Sequence, residues 1–270
     1  MAVIMPPQVL KTVLMAVALA ALAACAGAER AAAPAGVPIR FVLSFDDGPA
    51  PSTAKVLDAL AVNPVQPGVK AIFFVQTQVA GAEGQQMMRR THAEGHLLAV
   101  HTGTAQGHVS HMALSSEQLE ASLRQARADI ADIAGVAPRF VRPPFWFYDD
   151  AALASYARVQ LAMLLTDINA LDGVVLGVNR VPGKRLLIRA QLERIKREWQ
   201  EGAPQPVLDG VAPVVATFHD VNTSTAGNLT EYLQLLVEES RAAGLTLDRR
   251  PFYDRREDLE RAASLRARQL

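Results

Sequence analysis

Short apolar runs alternate with helix-like stretches along most of the chain, and this alternation constrains the fold more than any other feature. The predicted strands are Ile39–Ser44, Ala71–Val75, Leu97–His101, Phe140–Arg142, Leu161–Leu165, Val211–Phe218 and Thr246–Asp248. The predicted helices are Ser52–Ala61, Gly84–Ala93, Ser116–Ala134, Asp150–Arg158, Leu186–Glu201 and Leu229–Ala243. Strands separated by helices form parallel sheets, so we predict an α/β fold whose sheet is open or closed into a barrel.

The N-terminus has the pattern of an export signal. Lys11 precedes an uncharged, mostly apolar run over residues 12–28, which is short for a membrane-spanning helix. Leu22-Ala23-Ala24-Cys25 resembles a bacterial lipobox, and Cys25 is the only cysteine, so no internal disulfide forms. We predict that residues 1–25 are a signal peptide and that lipidated Cys25 anchors the protein in a membrane.

Ordinary cleavage after Ala26-Gly27-Ala28 also fits this segment, and both interpretations predict export to the periplasm or cell surface. Ala26 is not the aspartate associated with inner-membrane retention, which favours the outer membrane in a Gram-negative cell. Residues 26–36 resemble a flexible tether, and the charged segment 251–270 is predicted to be a solvated helix or tail. The 27 basic and 27 acidic residues balance, which argues against nucleic-acid binding by phosphate neutralisation.

Polar residues follow the predicted strands where each strand ends. The carboxyl ends of parallel strands meet at one rim, where catalytic groups gather. The residues placed there are Asp46, Asp47, His101, Arg142, Asp167, Asp172, His219 and Asp220. Their convergence predicts a functional site.

Adjacent carboxylates beside histidines favour a divalent metal, because carboxylate oxygen and imidazole nitrogen are typical ligands of Zn²⁺ and related ions. A metal on one carboxylate relieves the repulsion between Asp46 and Asp47 and leaves the other as a general base. His92 and His96 are predicted to be surface or satisfied core residues, whereas His101 ends a strand on the rim.

Five segments stand in order along the chain: Ser44-Phe45-Asp46-Asp47-Gly48-Pro49, Gly95-His96 with His101-Thr102, Arg142-Pro143-Pro144-Phe145, Leu171-Asp172 and Thr217-Phe218-His219-Asp220. They resemble the motifs of the polysaccharide deacetylases, carbohydrate esterase family 4. The resemblance covers residues 38 to 248. It implies a distorted (β/α)7-type barrel as a single catalytic domain over 37–250, and metal-dependent removal of an N-acetyl or other acyl group from an amino sugar.

The resemblance also implies an acid–base pair. Asp46 would be the general base, oriented by Arg142. His219 would be the general acid, tuned by Asp172, although Asp167 competes for that last role.

Metal ligands and an oxyanion donor follow from the same resemblance. Asp47 and His101 would bind the metal, with Zn²⁺ favoured over Co²⁺, Ni²⁺ or Mn²⁺. The backbone N–H of Phe145 would help to hold the oxyanion.

The second motif departs from the family, which places its two metal histidines four residues apart, because position 105 is alanine. Leu114-Ser115 stand at the usual distance from His108, so we infer three extra residues in the loop and assign His108 as the third ligand. His111 is the alternative third ligand.

The substrate pocket also departs from the family. Trp146 stands where glycine is usual, Gly173 where tryptophan is usual, and Thr217 where leucine is common. We predict that Pro144, Trp146 and Thr217 contact substrate. The run Trp146-Phe147-Tyr148 stacks on sugar rings, narrows the cleft or packs as core.

The leading hypothesis is an exported N-deacetylase acting on an amino-sugar glycan of the cell envelope or extracellular matrix. The changed pocket leaves open an amidohydrolase or O-acetyl esterase with a smaller substrate. The alanine at 105 leaves open a lipoprotein that binds glycan without catalysis. The sequence indicates no protein partner.

Overall fold

The computed structural model describes residues 36–173 and 183–268, of which 37–268 lie in one compact unit. The strands are β1 Ile39–Asp46, β2 Ala71–Gln76, β3 Leu97–Thr102, β4 Phe140–Val141, β5 Ala162–Met163, β6 Ile168–Asn169, β7 Ala212–His219 and β8 Leu247–Phe252. The helices are α1 Thr53–Ala61, α2 Gly81–Ala93, α3 Ser116–Ala134, α4 Asp150–Arg158, α5 Lys184–Gln200, α6 Thr223–Gly227, α7 Leu229–Ala242 and α8 Arg256–Arg266. The predicted signal peptide and Cys25 lie outside the described residues.

The strands form one curled parallel sheet in the order β5-β4-β3-β2-β1-β7-β6, with β8 beside β1. β5 and β6 are the two ends of this order, yet they follow each other in sequence, so the chain passes directly from one end of the sheet to the other. Leu164 N–H donates to Val141 O at 3.0 Å, and Asp167 N–H donates to Val215 O at 2.9 Å. The predicted α/β class and distorted (β/α)7-type barrel are therefore confirmed.

The predicted strand Leu161–Leu165 is shorter in the structure, because β5 covers only Ala162–Met163. The Leu164 carbonyl leaves the sheet and accepts a hydrogen bond from Arg142 Nε at 2.9 Å. The sequence did not predict β6, which follows at Ile168–Asn169 and pairs with β7.

Side-chain alternation along the strands separates an outer face, packed under helices, from an inner concave face. On β1, Val42 lies in the inner apolar cluster, and the same alternation brings Ser44 and Asp46 to the inner face further along. On β7, Val215 lies in that cluster, and His219 follows at the carboxyl end. The inner face is therefore apolar at one end and polar at the carboxyl rim.

The C-terminal segment forms helix α8, but α8 covers the apolar end of the inner face, so the prediction that this helix is solvated is wrong. Leu259, Ala262 and Ala263 are fully buried in the inner cluster. Their i, i+3, i+4 spacing forms one helical stripe, which the many charges on the other faces obscured in the sequence. The predicted boundary after residue 250 consequently falls inside β8, and the segment beyond it is part of the core.

No helix within the ranges 36–173 and 183–268 is both long and apolar enough to cross a membrane.

Candidate active site

Asp46 ends β1 on the inner face and is paired with Arg142, the residue directly after β4. Both side chains are buried, and Arg142 Nη1 donates to Asp46 Oδ1 at 2.8 Å. Arg142 also donates to Ser44 Oγ at 2.8 Å, and its guanidinium carbon lies 4.0 Å from the Phe74 ring centre. Burial lowers the pKa of Arg142 while the charge of Asp46 opposes that effect. The predicted orientation of Asp46 by Arg142 agrees with this contact.

Asp47, His101 and His108 bring three possible ligand atoms together within 4.8 Å of one another. Asp47 Oδ1 lies 3.0 Å from His101 Nε2 and 3.1 Å from His108 Nε2. Asp47 has a left-handed backbone with φ of 72°, which is costly for a non-glycine residue and is typical of functional positions.

The hydrogen bonding of this group fits a cation. His101 Nδ1 lies 2.8 Å from Arg142 O, which only accepts, so Nδ1 donates, and the lone pair of the neutral imidazole would be at Nε2. Buried Asp47 Oδ1 has no hydrogen-bond partner among the described residues. Lone pairs facing one another are unfavourable unless a cation lies between them.

The protonation states also suit a metal site, because ligands must be deprotonated. Burial raises the pKa of Asp47, but when the neighbouring imidazoles are protonated, a hydrogen bond from His101 and their positive charge outweigh burial and lower the pKa to about 2, an effect that a bound cation would replace. Burial lowers the pKa of His108. One carboxylate and two imidazoles match the ligands of catalytic zinc sites, which keep positions open for water and substrate.

The loop after β3 carries His108 to this group. A Cβ on Gly103 would lie 2.1 Å from Ser122 O of α3, so only glycine permits the close approach of loop and helix. His111 is buried elsewhere, with Nδ1 2.7 Å from the hydroxyl of Tyr156. The structure therefore brings His108, and not His111, to the possible ligand group.

His219 ends β7 beside Asp46, its register partner on β1. His219 Nδ1 donates to Asp172 Oδ1 at 2.8 Å, and Asp172 Oδ2 accepts from Thr225 Oγ1 at 2.7 Å. His219 Nε2 is left 3.9 Å from Asp47 Oδ2. Burial lowers the pKa of His219, but Asp172, Asp46 and Asp47 outweigh it and raise the pKa to about 9.

Asp167, the competing candidate, lies away from His219. Asp167 accepts hydrogen bonds from Val215 N–H at 2.8 Å and from Arg266 at 2.5 Å. It fastens α8 to the sheet, so the structure brings Asp172 to His219 and leaves Asp167 in a structural contact.

Asp220 follows His219 and is fully buried, accepting a hydrogen bond from Thr53 Oγ1 at 2.5 Å. Burial raises its pKa to about 7. A Cβ on Gly48 would lie 2.2 Å from Asp220 Oδ2, which explains why glycine follows the two carboxylates.

A cleft of about 410 Å³ joins these groups at the carboxyl rim. Its lining residues are Asp46, Asp47, His101, His108, Pro143, Phe145, Trp146, Asn169, Leu171, Gly173, His219 and Val221. Sequence reasoning missed Asn169 and Val221 and named Leu171 only as part of the fourth motif; Asn169 and Val221 lie close in sequence to Asp172 and His219.

Of the predicted substrate contacts, Trp146 lines the cleft, but Pro144 and Thr217 do not, which corrects those two predictions. Thr217 is fully buried behind the cleft, with its hydroxyl 2.9 Å from Ser44 Oγ. Pro144 is also buried. Phe145 and Trp146 have left-handed backbones with φ of 60° and 66°. Their turn leaves the Phe145 N–H without a backbone acceptor among the described residues.

The curled parallel sheet, with carboxylates and histidines at its carboxyl rim, is an α/β barrel with a possible metal-binding site. The family model of the polysaccharide deacetylases matches residues 37–164. Over this segment the chain matches the family.

Curated proteins similar to this chain include deacetylases of chitin and chitooligosaccharides. A chitin deacetylase of Colletotrichum lindemuthianum is 29% identical over 231 residues, which are 79% of this chain and 85% of the relative. A chitooligosaccharide deacetylase of Bradyrhizobium sp. (strain ANU 289) is 35% identical over 145 residues, 52% of this chain and 61% of the relative. Against the first curated relatives, the chain spans half their length or less, namely 44%, 49% and 24%.

Solved structures have the same fold. The chitin deacetylase of Colletotrichum lindemuthianum matches with a TM-score of 0.57 and 25% identity, covering 80% of this chain and 90% of the other. A family 4 carbohydrate esterase from Streptomyces lividans matches with a TM-score of 0.55 and 23% identity, covering 74% and 89%.

Proposed function

We propose that this protein is a metal-dependent hydrolase that removes the N-acetyl group from an amino sugar in a glycan. The observation that carries the proposal is the meeting of three groups in one cleft: the Asp46–Arg142 pair, the possible metal ligands around Asp47, and the His219–Asp172 pair. The family and its chitin deacetylase relatives support the choice of an N-acetylated glycan.

Asp47, His101 and His108 would hold the metal, with Zn²⁺ favoured and Co²⁺, Ni²⁺ or Mn²⁺ compatible. A bound divalent ion supplies Lewis-acid chemistry, which polarises an acyl carbonyl and eases loss of a proton from water.

Asp46 and His219 would then each carry out one proton transfer. Asp46, held by Arg142, accepts a proton from the water that attacks the acetyl carbon. The Phe145 N–H donates to the oxygen that gains negative charge. His219, protonated at neutral pH, donates from Nε2 to the departing nitrogen as the C–N bond breaks. The products are acetate and a free amino sugar.

The test is acetate release from N-acetylated oligosaccharides by protein that has been stripped of metal and reloaded with Zn²⁺ or Co²⁺. We expect activity to require the metal and to fall at least about 100-fold in Asp46→Asn. Asp58→Asn is the matched control, since Asp58 is a surface carboxylate paired with Arg90. Equal activity in Asp46→Asn and wild type would refute the assignment, as would no release with any metal.

An O-acetyl esterase is the second candidate. Gly173 lines the cleft with no side chain, at the point where a Cβ would lie 3.5 Å from the His219 ring. This open wall favours variation in the acyl-bearing group, and an ester needs less help from a general acid. Comparing matched N-acetyl and O-acetyl sugars would distinguish the two activities.

For location, we propose export, with lipidation of Cys25 anchoring the protein at the periplasmic or cell-surface side of a membrane. The support is the sequence pattern over residues 1–25. Fractionation of cells expressing wild type or Cys25→Ser tests it. Equal release of both proteins from membranes would contradict the anchor.

A further inference from the structure

Two aromatic side chains stand apart from all others in the described ranges. Phe145 is 48% exposed and Phe147 is 60% exposed. Every other aromatic side chain in residues 36–173 and 183–268 is buried or half-buried. Exposing two adjacent apolar rings is unfavourable unless something covers them.

These rings continue the row that begins at the possible metal ligands. The ring centres of His108 and Phe145 are 4.3 Å apart, and those of Phe145 and Phe147 are 6.3 Å apart. Phe145 also lines the catalytic cleft. The row therefore leads from the reacting centre out to the surface.

The turn that carries Phe145 and Phe147 is fixed by contacts of Trp146. Trp146, between the two phenylalanines, lies over the Arg142 guanidinium, whose central carbon is 5.2 Å from the Trp146 ring centre. Trp146 N–H donates to Pro143 O at 3.2 Å. Left-handed backbones at Phe145 and Trp146 cost of order 1–3 kcal/mol each, so packing must impose them.

We propose that the exposed faces of Phe145 and Phe147 form a sugar subsite next to the reacting amino sugar, with Phe147 as the residue that sets the preference for oligomers over the monomer. The inference rests on the proposed function. The C–H face of a pyranose ring is flat and apolar and covers an aromatic ring well. Exposed Asp149 and Asp150 follow immediately, and their charge disfavours contact with an anionic membrane.

The test compares N-acetylglucosamine with its linear pentamer as substrates of the zinc-loaded protein. We expect a lower KM for the pentamer in wild type. Phe147→Ala should reduce the ratio of the monomer KM to the pentamer KM about ten-fold, which is the effect of truncating a well-placed contact. Val136→Ala, on an exposed apolar residue at the end of α3, should retain the wild-type difference.

Equal KM values for monomer and pentamer in wild type, or an unchanged difference in Phe147→Ala, would overturn the subsite. Loss of binding to phosphatidylcholine vesicles in Phe147→Ala, with the KM difference intact, would also overturn it in favour of a lipid contact. If no oligomer is deacetylated, the proposed function fails separately. Calorimetric titration of the pentamer then decides the subsite: weaker binding by Phe147→Ala supports it, and equal binding overturns it.

Discussion

Arg142→Met should destabilise the protein mainly by leaving the charge of Asp46 buried without a partner. In wild type both side chains are almost fully buried, 0% and 3% exposed, with 2.8 Å between Arg142 Nη1 and Asp46 Oδ1. At an effective dielectric constant of about 20, two unit charges at that distance attract by about 6 kcal/mol. The pair repays its desolvation only while both charges are present.

We therefore expect Arg142→Met to lower the free energy of unfolding by about 3–5 kcal/mol. Asp46→Asn should also be destabilising, because it leaves the buried Arg142 guanidinium without its charged partner. The double variant should lose less than the sum of the two single variants, with a coupling of at least about 2 kcal/mol.

Urea unfolding of metal-free protein at neutral pH, followed by tryptophan fluorescence, measures all four free energies. Removing the metal keeps ion binding out of the comparison. Single effects that add to within about 0.5 kcal/mol would refute the reasoning, because uncoupled residues behave in that way.

Three further perturbations test the acid role of His219, the burial of His96 and the packing of helix α8. His219→Gln should reduce kcat on an N-acetyl sugar by about 10²–10⁴, but much less on an aryl acetate, whose leaving group needs no proton; equal losses would refute the acid role. Burial holds the pKa of His96 at about 3, so unfolded chains bind a proton that folded ones do not below about pH 6.5. Wild type should lose about 2 kcal/mol more than His96→Asn between pH 7 and pH 5 in urea unfolding, and equal losses would contradict this. Leu259→Ala should lower the unfolding free energy by about 2–5 kcal/mol, whereas a solvated tail would give under about 0.5 kcal/mol.

The sequence predicts what depends on local periodicity. The buried strands read as unbroken apolar runs because both faces of a parallel sheet are covered. Helix α3 is preceded by Ser115, whose side chain forms a capping box with that of Gln118, and it is followed by Gly135, which has a left-handed backbone. Carboxyl-end positions then follow from topology, which is why Asp46 and His219 were expected on one rim.

Contacts between distant parts of the chain were not predictable in the same way. The burial of Leu259 depends on an uncovered concave face that appears only when the sheet curls. Thr217 was expected in the pocket, but its hydroxyl lies behind the cleft and is hydrogen-bonded to the hydroxyl of Ser44. The choice between Asp167 and Asp172 depends on Arg266, which is 99 residues from Asp167 in sequence.

The most direct test of the central claim is metal content per chain, measured after zinc loading and gel filtration, for wild type, His108→Ala and His111→Ala. We expect one tightly bound Zn²⁺ in wild type and in His111→Ala, with loss of tight binding in His108→Ala. His111→Ala controls for removing a buried imidazole from the same loop. Full zinc content in His108→Ala, or no zinc in wild type, would contradict the proposed site.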